Sequence, residues 1–490
     1  MTKTPAIVWL RRDLRLSDNP ALHAAVARGG PVVPLFILDD ETPGPWAPGG
    51  ASRWWLHHSL AALDGDVRSR GSSLVLRRGN AGAVVPAVAR EAGARAIYWN
   101  RCYEPFAIER DTTIKADLKA AGVETESFNG ALLHEPWTVQ TKAGEPFKVF
   151  TPFWNALQAK DAPTQPDKAP ARIPSGPTIA GDDLADWGLL PRAPDWAGGL
   201  RESWKPGEIN AQERLVAFLD ETLQGYGESR DRPDQPGTSR LSPHLAWGEI
   251  GSRQIWHATL DHITRSRRPG RKMAAWAFLR ELGWREFCYH LLYHWPSLPE
   301  TAWKPAFDGF PWADDEAGFA AWCEGRTGYP IVDAAMRALY ATGWMHNRMR
   351  MVVASFLVKD LLVPWQKGEA WFWDTLVDAD LANNAASWQW VAGCGADAAP
   401  YFRIFNPVRQ GETFDPDGRY VRDWVPELAK LPDAWIHKPW AAPADVLTQA
   451  GVALDTTYPH PIVDHKAARD RALAAYKAIQ AGAAATRSDA

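Results

Sequence analysis

The sequence is poor in cysteine and lacks long apolar runs. Its four cysteines lie far apart and form no C-x-x-C pair, which argues against a zinc or iron–sulfur site and fits a reducing compartment. No run of about 18 apolar residues occurs, so we expect no membrane span. The opening residues show no signal-peptide pattern, and we therefore expect a cytoplasmic protein.

An excess of positive charge is also missing. Lysine and arginine total 54 against 58 aspartates and glutamates, which gives a net charge of −4. A surface that binds nucleic acid must therefore be a local patch and not a property of the whole chain.

The common nucleotide and hydrolase motifs are absent. The first strand–helix turn, WLRRDLRLSDNP, has no G-x-G-x-x-G, and the near match GCGADA at 393–398 lies in a helical region without a preceding strand. No Walker A, H-E-x-x-H or G-x-S-x-G sequence is found. The sequence therefore gives no support for hydrolysis or phosphoryl transfer.

Tryptophan, by contrast, is abundant. The chain has 27 tryptophans against 17 phenylalanines and 11 tyrosines. We expect most of these rings to fill the core and a handful to carry electrons or to stack on bases.

The order of the elements predicts an α/β domain followed by a helical one. Short apolar strands alternate with helical stretches in the first part of the chain, at 6–10, 31–40, 73–78, 95–100 and 123–129. This alternation predicts a Rossmann-like parallel sheet over 1–131. A connector follows over 132–207, and helical periodicity over 208–480 predicts a large all-α domain.

The segment GTSRLSPHLAWGEI carries hydroxyls around a single arginine. Thr238, Ser239 and Ser242 surround Arg240, and Ser242-Pro243 is typical of a helix start. Backbone amides at such a start can hold phosphate, although an ordinary capped helix has the same pattern.

Other helical stretches place polar and aromatic residues together. Two sets have i, i+3, i+4 spacing, which puts the members of each set on one helix face: Glu281, Trp284 and Arg285, and Asn347, Arg350 and Met351. Two such helices could line one polar and aromatic cavity, although a single face of this kind is more often a surface salt-bridge face. The stretch 377–393 places acids and amides among apolar residues, which is costly unless they bond something: Asp378, Asp380, Asn383 and Asn384. Trp388 and Trp390, two positions apart, are expected to point in roughly opposite directions.

These stretches, in this order, resemble the DNA photolyase/cryptochrome family. The resemblance extends over about 1–460 and includes WLRRDLRLSDNPAL, GTSRLSP, ELGWREF, GYPIVDAAMRAL, TGWMHNRMRM, FLVKDLL, DADLANN, SWQWVAG and DAAPYFRIFNP. It implies an α/β antenna domain and a helical domain that holds FAD. The residues that match the family's FAD contacts are Tyr226, Thr238, Ser239, Arg240, Leu241, Ser242, Asn347, Arg350, Asp378, Asp380 and Asn384, the last of which matches the residue facing flavin N5.

The resemblance also implies an electron route and a DNA site. Trp388, Trp365 and Trp312 match the family's chain of three electron-carrying tryptophans. The positions that match the dimer pocket are Glu281, Trp284, Asn347, Met351 and Trp390. Candidate phosphate contacts are Arg230, Arg285, Arg348 and Arg403.

The activity implied is light-driven repair of cyclobutane pyrimidine dimers in UV-damaged DNA by an electron from excited FADH⁻, in a monomeric deoxyribodipyrimidine photo-lyase. Asn347 and Met351 stand where enzymes for (6-4) photoproducts have histidines, and Asn384 stands where plant-type cryptochromes have an aspartate. The chain is most similar to class III enzymes, and a cryptochrome-type blue-light photoreceptor is the alternative. Phe106 and Ala107 replace the Asn-Glu pair of well-known folate-binding relatives. The class III resemblance still implies methenyltetrahydrofolate as antenna, with 8-hydroxydeazaflavin or no antenna as alternatives.

Overall fold

The computed structural model describes residues 4–265, 270–398 and 402–488, with the side chains of 483–488 left out. The chain forms two compact units. The first unit extends to Gln224 and also includes Ser239–Pro296 and Val377–Ala382. The second unit comprises Gly225–Thr238, Ser297–Leu376 and the chain from Asn383 onward.

The first unit contains a five-stranded parallel sheet, as the sequence predicts. Its strands are β1 (Ala6–Leu10), β2 (Val32–Leu38), β3 (Val75–Arg78), β4 (Ala96–Asn100) and β5 (Glu124–Phe128), in the spatial order β3-β2-β1-β4-β5. Every residue of β1, β2 and β4 is buried, because helices cover both faces of a parallel sheet. The edge strand β5 has the polar sequence ETESF and is partly exposed, which protects an unpaired edge from association.

Helices make up most of the remainder. In chain order they are α1 (Pro20–Ala27), α2 (Gly50–Ser69), α3 (Ala81–Ala92), α4 (Pro105–Ala120), α5 (Phe150–Gln158), α6 (Gly198–Ser203), α7 (Glu208–Ala217), α8 (Tyr226–Ser229), α9 (Ser242–Ala246), α10 (Ser252–Arg265), α11 (Arg271–His294), α12 (Glu316–Cys323), α13 (Pro330–Thr342), α14 (Asn347–Ser355), α15 (Trp365–Thr375), α16 (Leu381–Ala392), α17 (Pro407–Phe414), α18 (Arg419–Trp424), α19 (Asp433–Ile436), α20 (Ala444–Ala450) and α21 (His465–Ser488). Five-residue π turns follow α7 and α14, at Phe218–Thr222 and Phe356–Asp360. Short 3₁₀ turns lie at Gly44–Trp46, Pro136–Thr138, Leu184–Trp187, Leu223–Gly225, Pro305–Gly309, Pro426–Leu428 and Pro439–Ala441.

The compact units divide the chain differently from the sequence-based domain boundaries, because α10 and α11 pack with the α/β half. The buried Glu286 of α11 accepts a hydrogen bond from the Leu133 amide at 2.9 Å. On α10, the imidazole of His257 lies 2.8 Å from the carbonyl of Pro163. Helical periodicity identifies such helices but does not say against which part of the chain they pack.

Candidate functional site

The GTSRLSP segment ends in a helix start, as predicted, but Arg240 has an unusual backbone. Ser242 begins α9, and Leu241 in front of it is buried. Arg240 adopts φ 51°, in the left-handed region that residues other than glycine rarely occupy. Such strain persists where the surroundings hold it, and it clusters at functional sites.

Two arginines of the first unit lie over one buried tryptophan. The guanidinium carbons of Arg240 and Arg214 are 4.4 Å and 5.3 Å from the ring centroid of Trp204. Burial, reinforced by repulsion from Arg214, lowers the pKa of Arg240 to about 10. An anionic group nearby would relieve both effects, so this pair fits a phosphate. Arg214 was missed by the sequence analysis, since only the fold brings it next to Arg240.

Helix α11 presents Trp284 and Glu281 as the spacing predicts. Trp284 is partly exposed and stacks on Phe150 of α5, with ring centroids 3.6 Å apart and planes 9° from parallel. Glu281, one turn earlier, is also partly exposed. The stack fixes the indole plane and leaves part of the ring accessible to a flat partner.

Arg285 has a different environment from the one a DNA contact requires. Its guanidinium donates to the Ala131 carbonyl at 3.0 Å and to Ser252 Oγ at 3.1 Å. It also lies 4.7 Å from the ring centroid of Tyr289, and its side chain is only 11% exposed. The i, i+4 spacing does not distinguish an accessible arginine from one that is used inside the fold. We therefore leave Arg285 out of the DNA contacts proposed below.

The acidic pair occupies the short Val377–Ala382 piece of the first unit. Asp378 is buried, and Asp380 accepts a short hydrogen bond from the hydroxyl of Tyr289. Burial, together with the charge of Asp380, keeps the pKa of Tyr289 well above its usual value, so the phenol stays protonated and donating. Hydrogen bonding of this kind reduces the cost of placing a carboxylate among apolar side chains.

In the second unit, α14 carries four of the predicted residues, Asn347, Arg348, Arg350 and Met351. Asn347 is exposed and begins the helix, directly after His346, whose imidazole accepts a hydrogen bond from the Arg348 amide at 3.2 Å. Arg350 donates from Nε to the Met345 carbonyl at 2.8 Å. Met351 is partly exposed on the next position.

Two of the predicted phosphate contacts of the second unit already have partners. Arg348 forms a 3.0 Å ion pair with Asp231 and lies 4.4 Å over the ring of Phe414. Arg230 lies 5.2 Å over the ring of the buried Tyr226. These contacts hold both guanidiniums near the protein surface.

Asn384 is held by the backbone of α15. It is 9% exposed, and its Nδ2 donates to the Glu369 carbonyl at 3.0 Å. The bond fixes the side-chain amide on α16 without involving an ionised group. Burial raises the pKa of the Glu369 carboxyl well above its usual value.

The three tryptophans of the predicted electron route differ in burial. Trp388 and Trp365 are 2% and 1% exposed, whereas Trp312 is partly exposed and lies 4.4 Å from the ring of Phe310. Trp388 contacts Phe372 edge-on, with centroids 5.0 Å apart. It also lies above Gly368, where an added Cβ would come within 2.1 Å of the indole.

Trp390, unlike Trp388, is partly exposed, and it donates from Nε1 to the Asp397 carbonyl at 3.1 Å. A further buried ring, Trp322, lies 6.2 Å from Trp388 and donates to the Val353 carbonyl at 3.0 Å. No local sequence pattern separates this tryptophan from the many others of the core.

Arg403 is exposed in the middle of the DAAPYFRIFNP motif (397–407), of which residues 399–401 lie outside the described ranges. Its guanidinium carbon is 4.9 Å from the ring centroid of Phe405. At the candidate antenna position on α4, Ala107 is buried and Phe106 is partly exposed.

Some kinds of site are not found in the part of the chain that the structure describes. Over 4–265, 270–398 and 402–488, no helix is long and apolar enough to cross a membrane. Within the same ranges, no group of three or more His, Cys, Asp or Glu side chains is arranged to hold a metal ion.

Comparisons with known proteins agree with the resemblance. The family descriptions that match are "DNA photolyase" over 6–172 and "FAD binding domain of DNA photolyase" over 278–478. A deoxyribodipyrimidine photo-lyase from Agrobacterium fabrum is 53% identical over 480 residues, covering 97% of this chain and 98% of the relative. Cryptochrome-1 of Arabidopsis thaliana is 42% identical over 491 residues, covering 95% of this chain and 69% of the relative. The crystal structure of a class III photolyase from Agrobacterium tumefaciens superimposes with a TM-score of 0.94 at 53% identity and covers 98% of both chains.

Proposed function

This chain belongs to the DNA photolyase/cryptochrome family, and we propose that it is a deoxyribodipyrimidine photo-lyase, which uses light to split cyclobutane pyrimidine dimers in DNA. The observation that carries the proposal is the match at 53% identity, over 98% of both chains, to a class III photolyase. Neither the sequence motifs nor the side chains described above suggest a nucleophile or a metal, and carbon–carbon bond cleavage by electron transfer requires neither.

The cofactor is FAD, in agreement with the matching FAD-binding domain. When bound in its reduced form, FAD supplies the photoexcited electron that opens the cyclobutane ring. Arg240 and Arg214 fit its anionic phosphates, because both guanidiniums lie over the ring of Trp204 and burial lowers the pKa of each, an effect that a neighbouring anion would offset. We assign the remaining contacts to the positions that match the family: Tyr226, Thr238, Ser239, Leu241, Ser242, Asn347, Arg350, Asp378, Asp380 and Asn384.

Asn384 and the tryptophans have separate roles. The amide of Asn384, held by the Glu369 carbonyl, offers a neutral hydrogen bond beside the flavin and adds no charge that would oppose an anionic ring. Trp388, Trp365 and Trp312 carry electrons inward to oxidised flavin, which restores the active state. The partial exposure of Trp312 suits an outer end that meets a reductant in solution.

DNA recognition combines base and phosphate contacts. Trp284, already stacked on Phe150, offers an indole face to a flipped pyrimidine, a mode of access that is general for enzymes acting on bases. Glu281, Asn347, Met351 and Trp390 complete the proposed contacts to the dimer. Phosphates are bound by Arg230, Arg348 and Arg403. Of these, Arg348 must release or share Asp231 when DNA binds.

The antenna is methenyltetrahydrofolate in our proposal, by the class III resemblance, with 8-hydroxydeazaflavin or no antenna as alternatives. The buried methyl of Ala107 cannot provide the polar contact expected from a glutamate, so the pterin must be held by other side chains. Absorption and mass spectra of the chromophores released from the purified protein distinguish the three cases. We further propose that the enzyme is a cytoplasmic monomer. Size-exclusion chromatography with light scattering tests the oligomeric state.

A photoreceptor of the cryptochrome type is the second candidate, because Arabidopsis cryptochrome-1 matches at 42% identity. The deciding experiment exposes a defined thymine-dimer oligonucleotide to the purified, reduced protein with and without blue light. Loss of the dimer only in light establishes the photo-lyase. An intact dimer, despite bound reduced flavin, transfers the assignment to the photoreceptor.

A further inference from the structure

A buried lysine that the proposed chemistry does not use lies directly behind Arg403. Lys359 is 2% exposed and belongs to the π turn Phe356–Asp360. Its ammonium donates a short hydrogen bond to the backbone carbonyl of Arg403. The same nitrogen is 4.3 Å from the ring centroid of Phe402. A buried ammonium is costly, and π turns of this kind are frequent at functional sites.

The neighbouring carboxylate, that of Asp360, does not account for the burial of the Lys359 ammonium. Asp360 is fully buried, but it lies 2.6 Å from the imidazole of His465, and Arg471 donates to its backbone carbonyl at 2.5 Å. Burial lowers the pKa of Lys359 to about 7, a shift that Cys394 and Asp360 oppose and Arg403 reinforces. The ammonium itself contacts a peptide carbonyl and an aromatic ring.

The Arg403 backbone is fixed on both sides. Before it, Phe402 stacks on Tyr476 with centroids 4.6 Å apart and planes 6° from parallel. After it, the Phe405 amide donates to Ser355 Oγ at 3.2 Å. The side chain of Arg403 alone points outward, exposed and lying along the ring of Phe405.

We propose that Lys359 is a positioning residue for DNA binding, whose ammonium fixes the backbone of Arg403 so that the exposed guanidinium is preorganised to meet a phosphate. This inference rests on the proposed function, since it takes Arg403 as a phosphate contact. Preorganisation raises affinity by removing the entropy that an ordered side chain would otherwise lose on binding.

The test measures the affinity of the reduced, FAD-loaded protein for a thymine-dimer duplex over a series of salt concentrations. Lys359→Met keeps the apolar stem and removes the ammonium. We expect its Kd to rise about 2- to 10-fold. The slope of log Kobs against log salt should fall by up to about 0.9, the value of one phosphate contact. Repair per saturated complex should stay unchanged, because the lysine does not touch the reacting groups.

A double-mutant cycle separates positioning from general stabilisation. Lys359→Met should add nothing in an Arg403→Ala background. It should retain its full effect in an Arg409→Ala background, which removes another exposed cation of the neighbouring helix α17. An unchanged salt slope in Lys359→Met, or an undiminished effect in Arg403→Ala, overturns the inference.

Two controls keep the outcome interpretable. If Lys359→Met fails to retain FAD, the variant Ser355→Ala is used in its place. Ser355→Ala removes the hydrogen bond to the Phe405 amide, which is the other contact that holds this segment. The same double-mutant cycle with Arg403→Ala then applies. A wild-type protein that does not repair the dimer refutes the proposed function. If the wild-type protein repairs the dimer but the variants have unaltered salt slopes, only the role of Lys359 is refuted.

Discussion

The contact between Trp388 and Gly368 gives a sharp test of the electron route. Replacing Gly368 by alanine places a Cβ 2.1 Å from Cη2 of Trp388, and 2.5 Å and 2.7 Å from two further indole atoms. Ordinary carbon–carbon contacts begin near 3.5 Å, so the ring or the helix must move by about 1.4 Å. Both elements are buried, which leaves little room for that shift.

The matched control is Gly65→Ala. Gly65 is exposed on α2, and an added Cβ there meets nothing within 4 Å. Both substitutions gain about the same free energy from helix propensity, roughly 1 kcal/mol. The difference between their free energies of unfolding therefore measures the cost of the clash. Overpacking of a core costs about 1–3 kcal/mol, and Gly368→Ala should be less stable than Gly65→Ala by that amount.

The functional assay follows photoreduction of oxidised flavin under blue light with an external thiol. Gly368→Ala should slow it, because Trp388 is displaced, while Trp388→Phe should block it with the packing largely kept. Bound FAD is measured by its absorbance, so that loss of the cofactor is not mistaken for loss of the route. If Gly368→Ala photoreduces as fast as Gly65→Ala, Trp388 is not the residue that delivers the electron.

Three further predictions concern the dimer contact, the core of the second unit and its pH dependence. Trp284→Ala should weaken binding of dimer-containing DNA by about 5- to 150-fold, the value of one stacked base, and Trp284→Phe by less; an equal loss on undamaged DNA would contradict the assignment. Asp333→Ala should destabilise the protein by about 4 kcal/mol or more in denaturant unfolding, because the fully buried carboxylate accepts bonds from the Thr327 amide and hydroxyl and from the Tyr458 hydroxyl; a loss below about 1 kcal/mol would show that these donors find other partners. Burial lowers the pKa of His346 from 6.5 to about 4, so the unfolded state binds the proton more tightly and up to about 3 kcal/mol of stability is lost as pH falls through that range. His346→Asn, which keeps a cap, should flatten this dependence, and an unchanged profile would assign it to another group.

The α/β architecture could be predicted from the sequence because its strands are short, apolar and regularly separated. All five predicted strands are present, with ends that differ by no more than a few residues. The parallel arrangement follows from the intervening helices. The division into compact units did not follow, since the packing of α10 and α11 against the α/β half depends on contacts such as Glu286 with the Leu133 amide.

The type and spacing of residues predict candidate site residues, whose roles remain proposals, but they do not predict the environments of those residues. Trp284 and Arg285 are neighbours on one helix, but their environments differ. Trp284 has a stacked, partly accessible ring, whereas the guanidinium of Arg285 donates hydrogen bonds to the Ala131 carbonyl and to Ser252. The roles proposed for Arg214 and Lys359 depend on partners elsewhere in the chain, Arg240 and the Arg403 carbonyl, which local spacing does not indicate. Periodicity assigns a face of a helix, and only tertiary contacts decide what that face meets.

The abundance of aromatic rings and the lack of net positive charge have a common explanation in this fold. A carboxylate that fixes an arginine cancels its charge, whereas a ring fixes it by its quadrupole and leaves the charge in place. Arg214, Arg348 and Arg403 each lie over a ring, at 5.3 Å, 4.4 Å and 4.9 Å from the centroid. Rings can therefore orient cations for phosphate in a chain whose net charge is −4. Arg348, which also pairs with Asp231, should contribute less to the salt dependence of DNA binding than Arg403 does.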